Sequence, residues 1–128
     1  MPDMISIKAG AIQVQARLNS TRTAGALVEI LPVKAKVSTW GNEIYFDVPL
    51  IMEIEEGREV VDMGDVAYWP NGPSLCLFFG RTPASRGNEI RAASAVTVLG
   101  RIAKRAWAVL VLFNLACTWM VPALMRIM

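Results

Sequence analysis

The sequence predicts a mainly β protein, in which about eight strands form one closed barrel with one short helix, followed by an apolar C-terminal segment that we expect to be helical. Several short segments alternate apolar and polar residues, which is typical of half-buried strands. Gly, Asn and Pro pairs separate these segments and favour tight turns. Closure into a barrel removes the exposed edges that many short strands would otherwise leave.

The chain divides at about residue 102 into a barrel domain, residues 3–102, and an apolar tail, residues 103–128. Residues 1–101 contain ten Lys or Arg and eleven Asp or Glu, so the barrel is nearly neutral. The tail contains Lys104, Arg105 and Arg126 and no acidic residue, and it produces the net charge of +2. No basic stripe is present, and we therefore expect no nucleic-acid partner.

The first elements are a hairpin and a helix. Residues 5–7 and 12–16 alternate, and a turn at Ala9-Gly10 separates them. The helix follows, with Asn19 or Ser20 as the expected N-cap and Pro32 after its end.

The remaining elements are strands. Gly41-Asn42 and the segment from Pro70 to Pro73 predict tight turns between them. The acidic segment 53–65 is expected to form solvated strand edges and turns. The predicted strands are residues 34–40, 44–48, 66–69, 75–79 and 95–99.

Four ordered motifs point to a known family. They are TWGNEIYF at 39–46, GDVAYWP at 64–70, LCLFFGRTPAS at 75–85 and AASAVTVLG at 92–100. Together they resemble the small prokaryotic cyclophilin-like family over about residues 5–102. The resemblance implies a closed eight-stranded barrel with little helix, and it implies no settled activity.

Prolyl cis/trans isomerisation is the alternative function that this resemblance suggests. In full-size cyclophilins the pocket places an arginine beside an apolar proline slot, with a histidine nearby. This chain has no histidine, and none of its arginines aligns with that position. Isomerase activity therefore rests on fold analogy alone.

The absence of histidine excludes Ser-His-Asp and Cys-His sites, histidine bases and most zinc sites. We therefore assign no catalytic residue and expect no cofactor and no metal. Cys76 and Cys117 lie far apart and form no CxxC pair, which favours a reducing compartment. No secretory signal precedes the first strand, so we expect a cytoplasmic domain that is not secreted.

The predicted function is a binding module for a small molecule or a peptide. Concave aromatic surfaces often bind ligands, and polar residues at strand ends often orient them. Core packing is the alternative role for the aromatic residues, and a tight turn with an exposed arginine is the alternative for residues 81–85. The candidate ligand-binding residues are Trp40, Glu43, Tyr45, Tyr68, Trp69, Phe78, Arg81, Thr82 and Ser85.

The tail contains twenty uncharged residues from Ala106 to Met125, where the sequence departs from the family pattern. As a helix this run would span about 30 Å, which matches the hydrocarbon core of a bilayer. A C-terminal membrane anchor is therefore one interpretation. A buried strand or a contact in a homo-oligomer, which would complete the barrel, is the second. The third is an ending foreign to the family, for instance through a shifted reading frame.

Overall fold

The structure, a computed structural model, describes residues 4–9, 12–102 and 124–127. These residues form one helix and ten strands, two more than the sequence predicts, and the mainly β fold class is confirmed. The elements are β1 (Met4–Ala9), β2 (Ile12–Leu18), α1 (Arg22–Ile30), β3 (Val33–Lys36), β4 (Ser38–Thr39), β5 (Glu43–Asp47), β6 (Arg58–Val61), β7 (Asp65–Trp69), β8 (Ser74–Phe78), β9 (Ile90–Ile102) and β10 (Leu124–Ile127).

Antiparallel pairing joins the strands into one sheet. Their order is β3-β10-β1-β2-β9-β7-β8-β5-β4, and β6 pairs with β9 beside this path. The predicted N-terminal hairpin is present, with Ile5 opposite Ala16 and Ile7 opposite Val14. The 13-residue strand β9 is the longest and pairs with β2, β6 and β7, with register shifts opposite β6 and β7.

The sheet curls without closing, so the predicted closed barrel is wrong. Its two end strands, β3 and β4, are separated along the chain only by Val37. Within the described residues β3 pairs with β10, β4 pairs with β5, and no ladder joins β3 to β4. Consecutive pieces of one extended segment follow each other and cannot pair side by side. The result is an open, curled half-barrel.

Residues 124–127 form a strand and not the predicted helix. Strand β10 lies between β1 and β3, with Ile127 opposite Ile7 and Val33. For these four residues the structure agrees with the second interpretation of the tail, a strand that adds to the sheet. The rest of the predicted helix and membrane anchor, residues 103–123, lies outside the described residues. No helix in the described part of the chain has the length and apolarity required to cross a bilayer.

The N-cap of helix α1 lies one residue after Ser20 and two residues after Asn19, the two predicted caps. Thr21 is the N-cap, and its hydroxyl accepts a hydrogen bond from the Ala24 amide at 3.2 Å. Asn19 supports this cap, because its Oδ1 accepts from the Thr21 amide at 3.1 Å and from the Thr21 hydroxyl at 2.7 Å. The helix ends at Ile30, two residues before Pro32 as predicted, and buries Leu27 completely.

Glu55 also stabilises the start of α1. Its carboxylate accepts hydrogen bonds from the amides of Arg22 and Thr23 at 3.0 and 3.2 Å. These bonds, the one from Arg22 above all, lower the pKa of Glu55. Part of the acidic segment therefore satisfies backbone donors at a helix N-terminus.

The two faces of the sheet bury separate sets of side chains. We call the larger set, which α1 covers, the main core, and it includes Ile44, Phe46, Leu75 and Leu77. We call the opposite side of β5, β7, β8 and β9 the cavity face. Its buried apolar residues, together with one from the adjoining β6 (Val61), are Ala67, Cys76, Phe78, Ile90, Ala92 and Val96.

Candidate functional site

The cavity face contains a cavity of about 280 Å³, near the lower end of the range for small-molecule sites. Side chains alternate across a strand, so Glu43 and Tyr45 of β5, and Cys76 and Phe78 of β8, face this cavity while their neighbours enter the main core. Its buried lining is Glu43, Cys76, Phe78, Ala92 and Val96, and its outer lining is the half-buried Trp40, Tyr45 and Trp69 with the exposed Ala93.

A tight turn places Trp40 and Glu43 at the cavity. The Trp40 amide donates to the Glu43 carbonyl at 2.9 Å, and the Glu43 amide donates back at 3.2 Å. Gly41 lies in this turn with a φ of 63°, a conformation that L side chains rarely adopt. A Cβ there would also lie 2.9 Å from the Arg81 carbonyl oxygen, so only glycine permits this close approach.

Trp69 is held at the cavity by a hydrogen bond across the sheet. Its Nε1 donates to Ser94 Oγ at 2.7 Å, and the side-chain Nδ2 of Asn71 donates to the same oxygen at 3.3 Å. The indole therefore has its polar atom satisfied while its ring lines the cavity.

Among the described residues, Glu43 is the only charged one in the cavity lining, and its side chain is almost inaccessible to solvent, with 6% of the residue exposed. Burial raises its pKa from 4.5 to about 7, although interaction with the Cys76 thiol lowers it in part. Burial also raises the pKa of Cys76, and the nearby Glu43 charge adds to this effect. The thiol is therefore protonated and a weak nucleophile at neutral pH.

Five of the predicted ligand-binding residues line the cavity together: Trp40, Glu43, Tyr45, Trp69 and Phe78. Tyr68 does not, because it is the neighbour of Trp69 on β7 and points into the main core. There its hydroxyl donates to the Leu50 carbonyl at 2.6 Å and accepts from the Met52 amide at 3.0 Å.

Arg81, Thr82 and Ser85 do not line the cavity either. Ser85 Oγ accepts from the Thr82 amide at 2.9 Å and from the Arg91 amide at 3.1 Å. The Thr82 hydroxyl donates to the Arg91 carbonyl, and the exposed Arg81 donates to the Ser85 carbonyl at 3.3 Å. These residues thus form a turn with an exposed arginine, which was the alternative role for this segment.

Four lining residues were not predicted from the sequence: Cys76, Ala92, Ala93 and Val96. Cys76 lies in a strand whose residues are all buried, so periodicity could not assign it to a face. The small alanines gave no chemical signal, although small residues beside aromatic ones are what leaves a cavity open. No group of three or more potential metal ligands occurs among the described residues.

A family model for cyclophilin-like proteins matches residues 3–115. The chain belongs to the cyclophilin-like family. The recognition from four motifs is therefore confirmed, and the match continues past residue 102, where the sequence analysis placed the end of the resemblance. None of the curated proteins is significantly similar to this cyclophilin-like chain.

Among the solved structures that share the fold, two differ in their sequence identity to this chain. One is the solution structure of the hypothetical protein AF2241 from Archaeoglobus fulgidus, with 32% identity, a TM-score of 0.75, and coverage of 98% of this chain and 93% of that one. The other is McbB in complex with tryptophan, with 17% identity, a TM-score of 0.75 and coverage of 96% of this chain. This chain spans 43% of the McbB chain, and at that identity the likeness concerns the fold alone.

Proposed function

We propose that this cyclophilin-like protein is a binding module for a small molecule with an apolar body, and that the ligand occupies the cavity between β5, β7, β8 and β9. The observation that supports this is the cavity itself, about 280 Å³ between aromatic walls. Ligand sites are typically concave and mostly apolar, with a few polar groups that fix orientation. Eight of the nine lining residues here carry no charge, and Glu43 is the ninth.

The lining residues suit an aromatic or branched aliphatic group. Trp40, Tyr45 and Trp69 present ring surfaces at the outer part of the cavity. Deeper in the cavity, the small side chains of Cys76 and Ala92 leave room for a ligand. Apolar contact with such walls favours binding roughly in proportion to the surface removed from water. McbB was solved with tryptophan, an amino acid with an aromatic ring, which makes indole a reasonable first probe.

Binding without covalent chemistry fits the titratable groups of the lining. Glu43, Tyr45 and Cys76 are the titratable lining residues, and the Cys76 thiol is protonated because burial raises its pKa. A protonated thiol does not act as a nucleophile. We therefore propose a binding role and assign no nucleophile.

A nuclear magnetic resonance titration tests the proposal. Indole and benzyl alcohol at millimolar concentration are expected to shift the Trp69 Nε1 resonance and the amides of Trp40 and Ala92. The variant Ala93→Leu adds three carbon atoms to the side chain at the cavity, and it should weaken binding by about tenfold. The matched control is Ala84→Leu, because Ala84 is half-buried outside the cavity lining.

Thermal unfolding of both variants checks that they remain folded. The absence of chemical-shift changes at the cavity would contradict a ligand site at this position. Chemical-shift changes in Ala93→Leu as large as those of the wild type and Ala84→Leu would contradict it as well.

Prolyl isomerase activity receives no support from the cavity, because no arginine is among its lining residues. A protease-coupled assay with a proline peptide at micromolar protein is expected to give the uncatalysed rate. A faster rate that Ala93→Leu abolishes and Ala84→Leu retains would assign the isomerase function to this cavity and overturn our proposal.

A further inference from the structure

We propose that the cavity selects ligands that carry a cationic nitrogen, such as an ammonium or amidinium group, on an apolar body, and that this nitrogen pairs with the Glu43 carboxylate. This inference rests on the proposed function and names the ligand class of the same site. Three features support it: the position of the carboxyl group, the lack of a cation beside it, and the aromatic walls around it.

The carboxyl group of Glu43 lies where a ligand would meet it. Glu43 is the first residue of β5, pairs with Phe78 across the ladder and lines the cavity while only 6% exposed. An acidic side chain is rarely buried to this extent unless it is paired. Its position therefore indicates a partner that enters the cavity.

No basic residue of the described part of the chain fills that role. The cavity lining contains no lysine and no arginine. Arg91 pairs with Glu59 and Glu89 at 3.1 and 2.6 Å, and Arg101 pairs with Asp62 and Asp65, both at 3.1 Å. The ion pairs of the described residues thus leave the Glu43 carboxyl without a cation.

The surroundings of Glu43 make it responsive to a ligand's charge. The other titratable groups that face the cavity are Tyr45 on its own strand and Cys76 on β8, while β7 and β9 contribute none to the lining. Burial raises the pKa of Glu43 to about 7, so near neutral pH the group is divided between its two protonation states. A cation at hydrogen-bond distance would favour the carboxylate and would receive a charge-assisted hydrogen bond in return.

The aromatic rings favour the same ligand class. The indole rings of Trp40 and Trp69 and the phenol ring of Tyr45 line the outer cavity. The faces of such rings attract cations within about 6 Å of the ring centre. An anionic ligand would face the Glu43 charge without compensation, so the cavity should reject it.

Three probes of nearly equal size test the selection. Benzylamine is cationic at neutral pH, benzyl alcohol is neutral and benzoate is anionic. At pH 7.5 we expect the wild type to bind benzylamine at least about tenfold more tightly than benzyl alcohol, and benzoate most weakly. Glu43→Gln should lose the preference for benzylamine over benzyl alcohol. Glu53→Gln, which removes an exposed carboxylate elsewhere, should retain it.

Calorimetry supplies a second readout. At pH 6.5 benzylamine should release about 0.8 proton per ligand, which is the protonated fraction of a group whose pKa is about 7. The value comes from titrations in two buffers of different ionisation enthalpy. Glu43→Gln should release none.

The two proposals fail in different ways. If none of the three probes binds at the cavity, the proposed function itself is wrong. If benzyl alcohol binds there and benzylamine binds no better, or if Glu43→Gln retains the preference, the cavity binds ligands but Glu43 does not select cations.

Discussion

The two faces of the sheet differ in what the same strands place on them. On the main-core side, β5 and β8 contribute Ile44, Phe46, Leu75 and Leu77, all at most 1% exposed. On the cavity face the same strands and β9 contribute Cys76 and other small residues among aromatic ones, and a cavity of about 280 Å³ remains. On one shared backbone, the volume of the side chains therefore decides whether a face packs into a core or leaves a cavity.

The two faces also differ in whether their buried polar groups have partners. Tyr68 brings a hydroxyl into the main core, where it both donates and accepts a hydrogen bond with the segment 50–52. Glu43 brings a carboxyl group to the cavity face, where burial raises its pKa to about 7. A satisfied polar group stabilises the fold, whereas a buried acidic group without a cation beside it costs stability when it is charged.

Removal of the Glu43 charge should give the largest effect. Its pKa is about 7 in the folded state and 4.5 as a free side chain, so the protonated form stabilises the fold below pH 4.5 and this contribution is lost as the pH rises through 7. The loss amounts to about 3 kcal/mol. The free energy of unfolding of Glu43→Gln relative to the wild type should therefore rise by about 3 kcal/mol from pH 4 to pH 8.

Urea unfolding at several pH values measures this difference. The control Glu53→Gln, at an exposed position, should show no comparable rise over the same range. If the difference in the free energy of unfolding between Glu43→Gln and the wild type does not change with pH, the carboxyl group is not buried in the way described.

Two matched valine truncations should give a smaller effect. Val66 of the main core and Val96 of the cavity lining are 0% and 1% exposed, and both lie in central strands. Val66→Ala should lower the free energy of unfolding by about 2 kcal/mol, from lost burial and the new void. Val96→Ala should cost about 1 kcal/mol, because a side chain that borders a cavity makes fewer contacts. If urea unfolding shows that both variants lose the same free energy of unfolding, the two faces do not differ in how tightly they are packed.

Tyr68→Phe should give the smallest of the three effects. It leaves the Leu50 carbonyl and the Met52 amide without their partner, which should cost about 1 kcal/mol. Tyr45→Phe is the control, because the Tyr45 hydroxyl makes no hydrogen bond to the described residues. If both variants unfold at the same urea concentration, the hydrogen bonds of the Tyr68 hydroxyl do not stabilise the fold.

The sequence predicted most of the local structure because turns and alternation are local signals. The β1–β2 hairpin, α1 ending before Pro32 and the turn at Gly41-Asn42 all occur. The N-cap was placed too early, because Asn19 bonds to Thr21 and to the Val98 carbonyl, a long-range contact that a sequence does not reveal. The closed barrel was wrong for a similar reason, since the partner of β3 is β10, about 90 residues further along the chain.

The site could be predicted only where residue chemistry was distinctive. The alternation of Ile44 with Glu43 and Tyr45 placed the latter two on one face, and both line the cavity. The aromatic residues of β7 were treated as one group, although adjacent residues such as Tyr68 and Trp69 point to opposite faces. Strand β10 was hidden in an apolar run, where a buried strand and a helix have the same composition.

The place of β10 between β1 and β3 has a consequence for the order of folding. Ile7 and Ile127, which face each other across this ladder, are about 120 residues apart along the chain, whereas the β1–β2 and β7–β8 ladders join neighbouring segments. Closing so long a loop costs chain entropy before any contact compensates for it. The hairpins should therefore assemble first, and the β1–β10–β3 ladder should be among the last parts of the sheet to form.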